Sequence, residues 1–171
     1  MPTLRTNDID TYYEISGQGE TVLLIHGLGS STRNWDLQVG HFSQRYRVIT
    51  YDARGHGRSS KPPGPYRMRL FAEDVVALLR ALEIPSAHIV GISMGGMIAF
   101  ELAVRFPSLL KSLVIVNSYP EMRVETPFEY FQMWQRLLIL SLLGVRKMGE
   151  VLSKRLFIKP EQAELRRNFG R

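Results

Sequence analysis

Midway along the chain, Gly91-Ile92-Ser93-Met94-Gly95-Gly96 has the spacing G-x-S-x-G, a serine held between two glycines. The spacing alone is common, but here it directly follows the apolar run His88-Ile89-Val90-Gly91-Ile92 and directly precedes a helical pattern. A strand-to-helix turn of this kind presents a serine as a nucleophile. The turn is tight enough that a Cβ at 91 or 95 is expected to collide with neighbouring backbone, and it holds the Ser93 hydroxyl clear. The Met94 N–H then faces the same space at a helix N-terminus, where developing negative charge is favoured. A second element, His26-Gly27-Leu28-Gly29, closes the apolar run Val22-Leu23-Leu24-Ile25. Its glycines let the main chain approach a substrate, so the Leu28 N–H is the candidate second donor of an oxyanion hole. The bland alternative is a glycine-rich turn that merely joins a strand to a helix.

A serine is a weak nucleophile near neutral pH without a base. The four histidines, His26, His41, His56 and His88, all precede Ser93, and no aspartate follows Asp74. After the serine come only glutamates: Glu101, Glu121, Glu125, Glu129, Glu150, Glu161 and Glu164.

The elements that must position these groups follow from periodicity. Short apolar runs at Val22–Ile25, Arg47–Tyr51, His88–Ile92 and Ser112–Asn117 read as buried strands, separated by helical patterns over 35–44, 70–82 and 94–106. Strands alternating with helices specify a mostly parallel sheet covered on both faces, an α/β fold. Tyr12-Tyr13-Glu14-Ile15 followed by Gly17-Gln18-Gly19-Glu20 reads as a hairpin feeding the first of these strands. In the second helix Leu70, Val75, Leu78, Leu79 and Leu82 share one face, leaving Glu73, Asp74 and Arg80 for solvent. From Tyr119 the strand signal ends, and 128–154 reads as one or two helices rich in Leu, Met and aromatic residues.

Composition narrows the chemistry. The chain has 171 residues, 44% of them apolar, and no cysteine. Thiol catalysis and Cys-ligated zinc or iron–sulfur centres are excluded, and no metal or cofactor is expected. The net charge of +6 is a property of the C-terminal part: residues 1–122 carry 12 Lys/Arg against 11 Asp/Glu, and 123–171 carry 10 against 5. That distribution fits a helical surface better than a nucleic-acid footprint. The N-terminus shows no basic segment followed by an apolar stretch, and the longest apolar run, Leu137 to Val145, is far short of a membrane span of about 20 residues. The cytoplasm is the expected compartment. A dinucleotide site is disfavoured, because Gly17-Gln18-Gly19 precedes a strand instead of following one and no G-x-x-x-x-G-K-[ST] loop occurs.

These motifs, with Trp35-Asp36-Leu37-Gln38, Tyr51-Asp52-Ala53-Arg54-Gly55-His56-Gly57-Arg58-Ser59 and Pro62-Pro63-Gly64-Pro65-Tyr66, resemble the α/β-hydrolase superfamily, and within it the 3-oxoadipate enol-lactonase-like esterases and lactonases. The resemblance covers about residues 10 to 118. It implies an α/β-hydrolase core over 1–118, a helical cap or lid over 119–171, and a serine hydrolase of a small carboxylic ester or lactone. Ser93 is then the nucleophile, Leu28 and Met94 the oxyanion donors, and His26, Gly27, Gly29, Gly91 and Gly95 the structural frame. His56 belongs to a structural turn near the site. Serine at the elbow argues against dehalogenase or epoxide hydrolase chemistry, whereas thioesterase, carbon–carbon hydrolase and perhydrolase chemistry stay open. Trp35, Phe128 and Trp134, with Tyr130 and Phe131, are candidates for an acyl pocket under the cap, plain helix packing being the other reading. In similar enzymes the acid and histidine follow the cap, so the sequence is expected to stop inside it. The competing reading is a catalytically silent binding module. With later strands missing, Leu113–Val116 is expected at a sheet edge, where unpaired backbone groups invite association. The isolated chain is therefore expected to dimerise or aggregate; a monodisperse 19.6 kDa species in light scattering of a dilute solution is the contrary result.

Overall fold

The computed structural model describes residues 2–120 and, beyond them, 126–128, 130, 131, 134, 135, 138 and 159. Two compact units divide the chain, Met1–Glu121 and Met122–Arg171. Most of the helical stretch expected over 128–154 lies outside the described residues.

The first unit is built on one six-stranded sheet. Strands β1 (Thr3–Thr6) and β2 (Ile9–Ser16) form a hairpin whose two-residue turn, Asn7 and Asp8, takes positive φ values of 46° and 68°. Asn and Asp tolerate that conformation, and the mirror-image turn matches strand twist. After β3 (Thr21–Ile25) come helix α1 (Asp36–Phe42), β4 (Arg47–Tyr51), α2 (Met68–Ala81), β5 (Ala87–Ile92), α3 (Met94–Arg105) and β6 (Leu110–Val116). The sheet order is β1-β2-β4-β3-β5-β6, with β4, β3, β5 and β6 mutually parallel and β2 antiparallel to β4.

The hairpin expected between Tyr12–Ile15 and the following strand does not form. β2 pairs with β1 and β4, and the Gly17–Glu20 link carries the chain past β4 to its far side. Burial explains the choice. All five residues of β3 are buried, so it needs neighbours on both edges and cover on both faces, whereas β2 carries the exposed Asp10 and half-buried Glu14 on one face and suits the sheet's flank.

Leu23 and Ile25 point to one face, where they pack with Ile49, Tyr51, Val75, Leu79, Ile98 and Leu102 under α2 and α3. Val22 and Leu24 point to the other and meet Val48 and Trp35 beneath α1. At roughly 1.5–3 kcal/mol for each large side chain buried, this two-faced packing supplies the main driving force. Among the described residues β6 ends the sheet order, with Val114 and Val116 48% and 39% exposed. No helix among them is long and apolar enough to cross a membrane.

Asp74 departs from the expectation that it faces solvent. It is 2% exposed and receives two hydrogen bonds from Arg54, Nε to Oδ2 at 2.8 Å and Nη2 to Oδ1 at 2.6 Å, and a third from Asn7 Nδ2 at 2.6 Å. Arg54 also donates to the Asn7 carbonyl at 2.9 Å. One buried pair thereby ties the hairpin turn, the loop after β4 and α2 together. Removing one partner leaves a buried charge uncompensated. Asp74→Asn is expected to lower unfolding stability in urea by on the order of 3 kcal/mol. Asp10→Asn, which breaks an exposed pair with Arg5 at 3.4 Å, is expected to change it by less than about 1 kcal/mol.

Candidate active site

After β3 the chain crosses to β4 on one side, and after β5 it crosses to β6 on the other. The carboxyl ends of β3 and β5 therefore flank the point where the winding reverses, the place where open α/β sheets form a ligand crevice. His26-Gly27-Leu28-Gly29 leaves β3 and Ser93 leaves β5, and the pairing of Ile25 with Gly91 sets them side by side.

Ser93 is exposed and sits at φ 53°, ψ −117°, just before the first residue of α3. A non-glycine residue held there stores about 1–3 kcal/mol of strain, which the surroundings must over-determine. They do. A Cβ at Gly91 would lie 2.3 Å from the Gly95 carbonyl oxygen, and one at Gly95 would lie 2.1 Å from that of Ile25, so strand and helix backbones touch with no side chain between them. The Ser93 N–H donates to the Val116 carbonyl at 3.0 Å, and its own carbonyl accepts from the N–H groups of Gly96 and Met97 at 2.9 and 3.1 Å. The hydroxyl of Ser118 adds a further bond to that carbonyl at 2.7 Å. Ser118 lies outside every motif; its position two residues beyond β6 becomes meaningful only once β6 is seen beside β5.

Leu28 is 69% exposed, and Gly27 beside it lies so near the elbow that a Cβ built there would be 3.6 Å from Ser93 Cβ. Among the described residues neither the Leu28 N–H nor the Met94 N–H makes a hydrogen bond. No side chain there bonds Ser93 Oγ, and no group of three or more His, Cys, Asp or Glu is placed to hold a metal. Met94 buries its side chain in the larger core and leaves its backbone at the helix start. Trp35 is 6% exposed and packs in the smaller core with Val22, Leu24 and Val48. Phe128 and Trp134 belong to the second unit, where they are 67% and 58% exposed.

A strained serine at the switch point of a doubly covered, mainly parallel sheet is the arrangement of the α/β hydrolases, and the chain belongs to the α/β-hydrolase-fold family, whose sequence model matches residues 20–148. It is 42% identical over 118 residues to 3-oxoadipate enol-lactonase 2 of Acinetobacter baylyi, covering 68% of this chain and 44% of that protein. A putative carbamate hydrolase, RutD, of Pantoea ananatis is 40% identical over 120 residues, covering 67% of this chain and again 44% of the relative. Among solved structures, the enol-lactonase of Burkholderia xenovorans superposes with a TM-score of 0.84 at 28% identity, over 95% of this chain and 62% of that one. The chain spans less than half the length of the curated relatives it matches.

Two histidines of the loops after β3 and β4, His26 and His56, are engaged by backbone groups. His26 is fully buried; its Nδ1–H donates to the Gly27 carbonyl at 2.7 Å, while Nε2 accepts the Ala53 N–H at 3.0 Å, a pattern that requires the neutral ring. Burial pushes its pKa down from 6.5 to about 4. His56 Nδ1 pairs with the Arg54 carbonyl at 2.9 Å, and its ring lies 5.2 Å from that of His26. Since the unfolded chain takes up a proton on His26 near pH 6.5 and the folded chain only near 4, its contribution is complete above the first value and lost as pH falls between them. Urea unfolding at pH 5 is expected to give about 2 kcal/mol less stability than at pH 7 through this group, and His26→Gln, titrating nowhere in that window, should lack that part of the slope.

Proposed function

We propose that the protein is a serine hydrolase of small carboxylic esters or lactones. Ser93 Oγ attacks the acyl carbon, and the Leu28 and Met94 N–H groups receive the oxyanion of the tetrahedral intermediate. The observation that supports this reading is an exposed, conformationally strained serine next to Gly27 on one side and the start of a helix on the other, with the Leu28 and Met94 N–H groups free of hydrogen bonds among the described residues. Backbone donors fixed in advance need no reorganisation as charge develops, and one of them is worth about 10²–10³ in rate. The relatives named above are called enol-lactonase and carbamate hydrolase. Those names share one chemistry, addition to a carbonyl carbon bearing a heteroatom leaving group, which is the step these donors suit.

Turnover also needs a base for Ser93 and an acid to orient it. His26 has no ring nitrogen to spare and His56 is engaged through Nδ1. The reading therefore assigns the base to neither, and places Trp35 in the packing of the core, not in a pocket wall. A second reading, a silent pocket that binds without turnover, draws on the lack, among the described residues, of any side chain bonded to Ser93 Oγ.

Intact mass after incubation with a fluorophosphonate separates the two. The hydrolase reading expects one phosphonyl adduct on the wild-type chain and none on Ser93→Ala; a chain whose mass does not change is the silent module.

A further inference from the structure

The Leu28 N–H lies midway along a seven-residue segment, 26–32, that is neither strand nor helix until its last residue. The Ser30 N–H donates to the Gly27 carbonyl at 3.2 Å and closes a turn around the exposed Leu28 and Gly29, so what sets this turn against Ser93 must act from the ends of the segment. Both ends are held by two consecutive residues just beyond β4. At the first end, Ala53 donates its N–H to His26 Nε2 at 3.0 Å. At the other, the Thr32 N–H donates to Asp52 Oδ1 at 2.7 Å, where a 3₁₀ turn over Thr32–Trp35 begins.

The Asp52 carboxylate is fully buried and its second oxygen is equally occupied. Oδ2 accepts the Arg58 N–H at 2.7 Å, and the guanidinium of Arg58 lies 3.8 Å away. The loop over 52–58 folds directly on the carboxylate: Gly57 has φ 46°, and a Cβ there would sit 2.1 Å from Oδ2. The backbone of Asp52 is anchored too: its N–H donates to the Tyr12 carbonyl at 2.9 Å and its carbonyl accepts from the Ser59 hydroxyl at 2.5 Å. A carboxylate held this firmly is a fixed point to which a flexible segment can be referred. Charge-assisted bonds of this length are also the strong ones.

We infer that Asp52 is a positioning residue for the oxyanion hole: through the Thr32 N–H it fixes the far end of the segment 26–32, and so sets the Leu28 N–H against Ser93. The catalytic half of this assignment rests on the hydrolase reading above; the mechanical half does not. Asp52 touches no reacting atom and acts only through the backbone it holds.

Two variants and two readouts test it on the whole chain. Asp52→Asn keeps the shape but turns either the Thr32 or the Arg58 contact into a donor facing a donor. Thr32→Pro deletes the N–H that Asp52 Oδ1 receives together with the hydroxyl that accepts from Arg58 Nη2 at 3.3 Å, and Thr32→Val, which loses the hydroxyl alone, is its control; proline suits a first helical position, and Ser31 before it is already extended. Amide hydrogen exchange should quicken at least about tenfold across 27–31 in both variants, with β3 and β5 as protected as in the wild type. Phosphonylation of Ser93 by a fluorophosphonate should slow about ten- to a hundredfold, short of the roughly 10²–10³ that a donor lost outright would cost, because the Leu28 N–H is displaced and not removed. Exchange across 27–31 that stays within twofold of wild type in both variants overturns the assignment. So does exchange that quickens equally in β3 and β5, which is a general loss of stability, or a loosened loop with an unchanged labelling rate. A wild-type chain that takes up no phosphonate sinks the hydrolase reading instead, and exchange alone then decides whether Asp52 holds the loop.

Discussion

The carbonyl of Ile25, at the end of β3, and the backbone of Gly95, in the first turn of α3, approach so closely that a methyl group at 95 would stand 2.1 Å from the carbonyl oxygen. Much of the described unit is arranged around that approach. It fixes where α3 can begin, and the chain must therefore turn from β5 into the helix within one residue. The strained φ of Ser93 is the consequence of that turn, and the exposed hydroxyl is the consequence of the strain. Helix α3 in turn lays Ile98, Ala99 and Leu102 into the core beside Leu23 and Ile25, so the packing that holds the helix down also holds the elbow in its costly conformation.

Apolar and polar groups divide the work along the strands. Between the sheet faces the interior is Leu, Ile and Val, with Phe71 and Met94 among the larger contributors. At and beyond the carboxyl end of β4 the buried groups become polar: His26, Asp52, Arg54 and Ser59, with Asp74 reaching up from α2. Each of these is paired, as most buried polar groups are, and several of the bonds run to backbone N–H and carbonyl groups of the loops. Hydrophobic burial sets the sheet; directional bonds set the loops above it.

The alternation of strand and helix was legible because β3, β4, β5 and β6 are apolar runs bounded by turn residues, and the tight turn from β5 into α3 was legible because glycine spacing and strand-to-helix context coincide at 91–96. Pairing was less so. Nothing local in Gly17–Glu20 distinguishes a hairpin from a link that passes over β4, since the deciding factor is which neighbours the doubly buried β3 requires. Asp74 illustrates a second limit. Helical periodicity puts it beside Glu73 on the polar side, but its environment is set by Arg54, twenty residues earlier, and by Asn7, farther still. Ser118 and Asp52 fall under the same heading: their partners, Ser93 and Thr32, are neighbours in the sheet's geometry and not in the sequence.

The hydrogen bond from Asn7 to Asp74 spans 67 positions of sequence. The β1–β2 turn thus reaches its final environment only after α2 exists and has found the sheet. Parallel strands impose the same order, since each needs a complete crossover before it can pair. During synthesis the first hairpin emerges early and waits, its polar turn hydrated, for a helix made some sixty residues later. Closing so long a loop costs entropy before any contact repays it. In this fold a turn made early is completed only by a helix made far later.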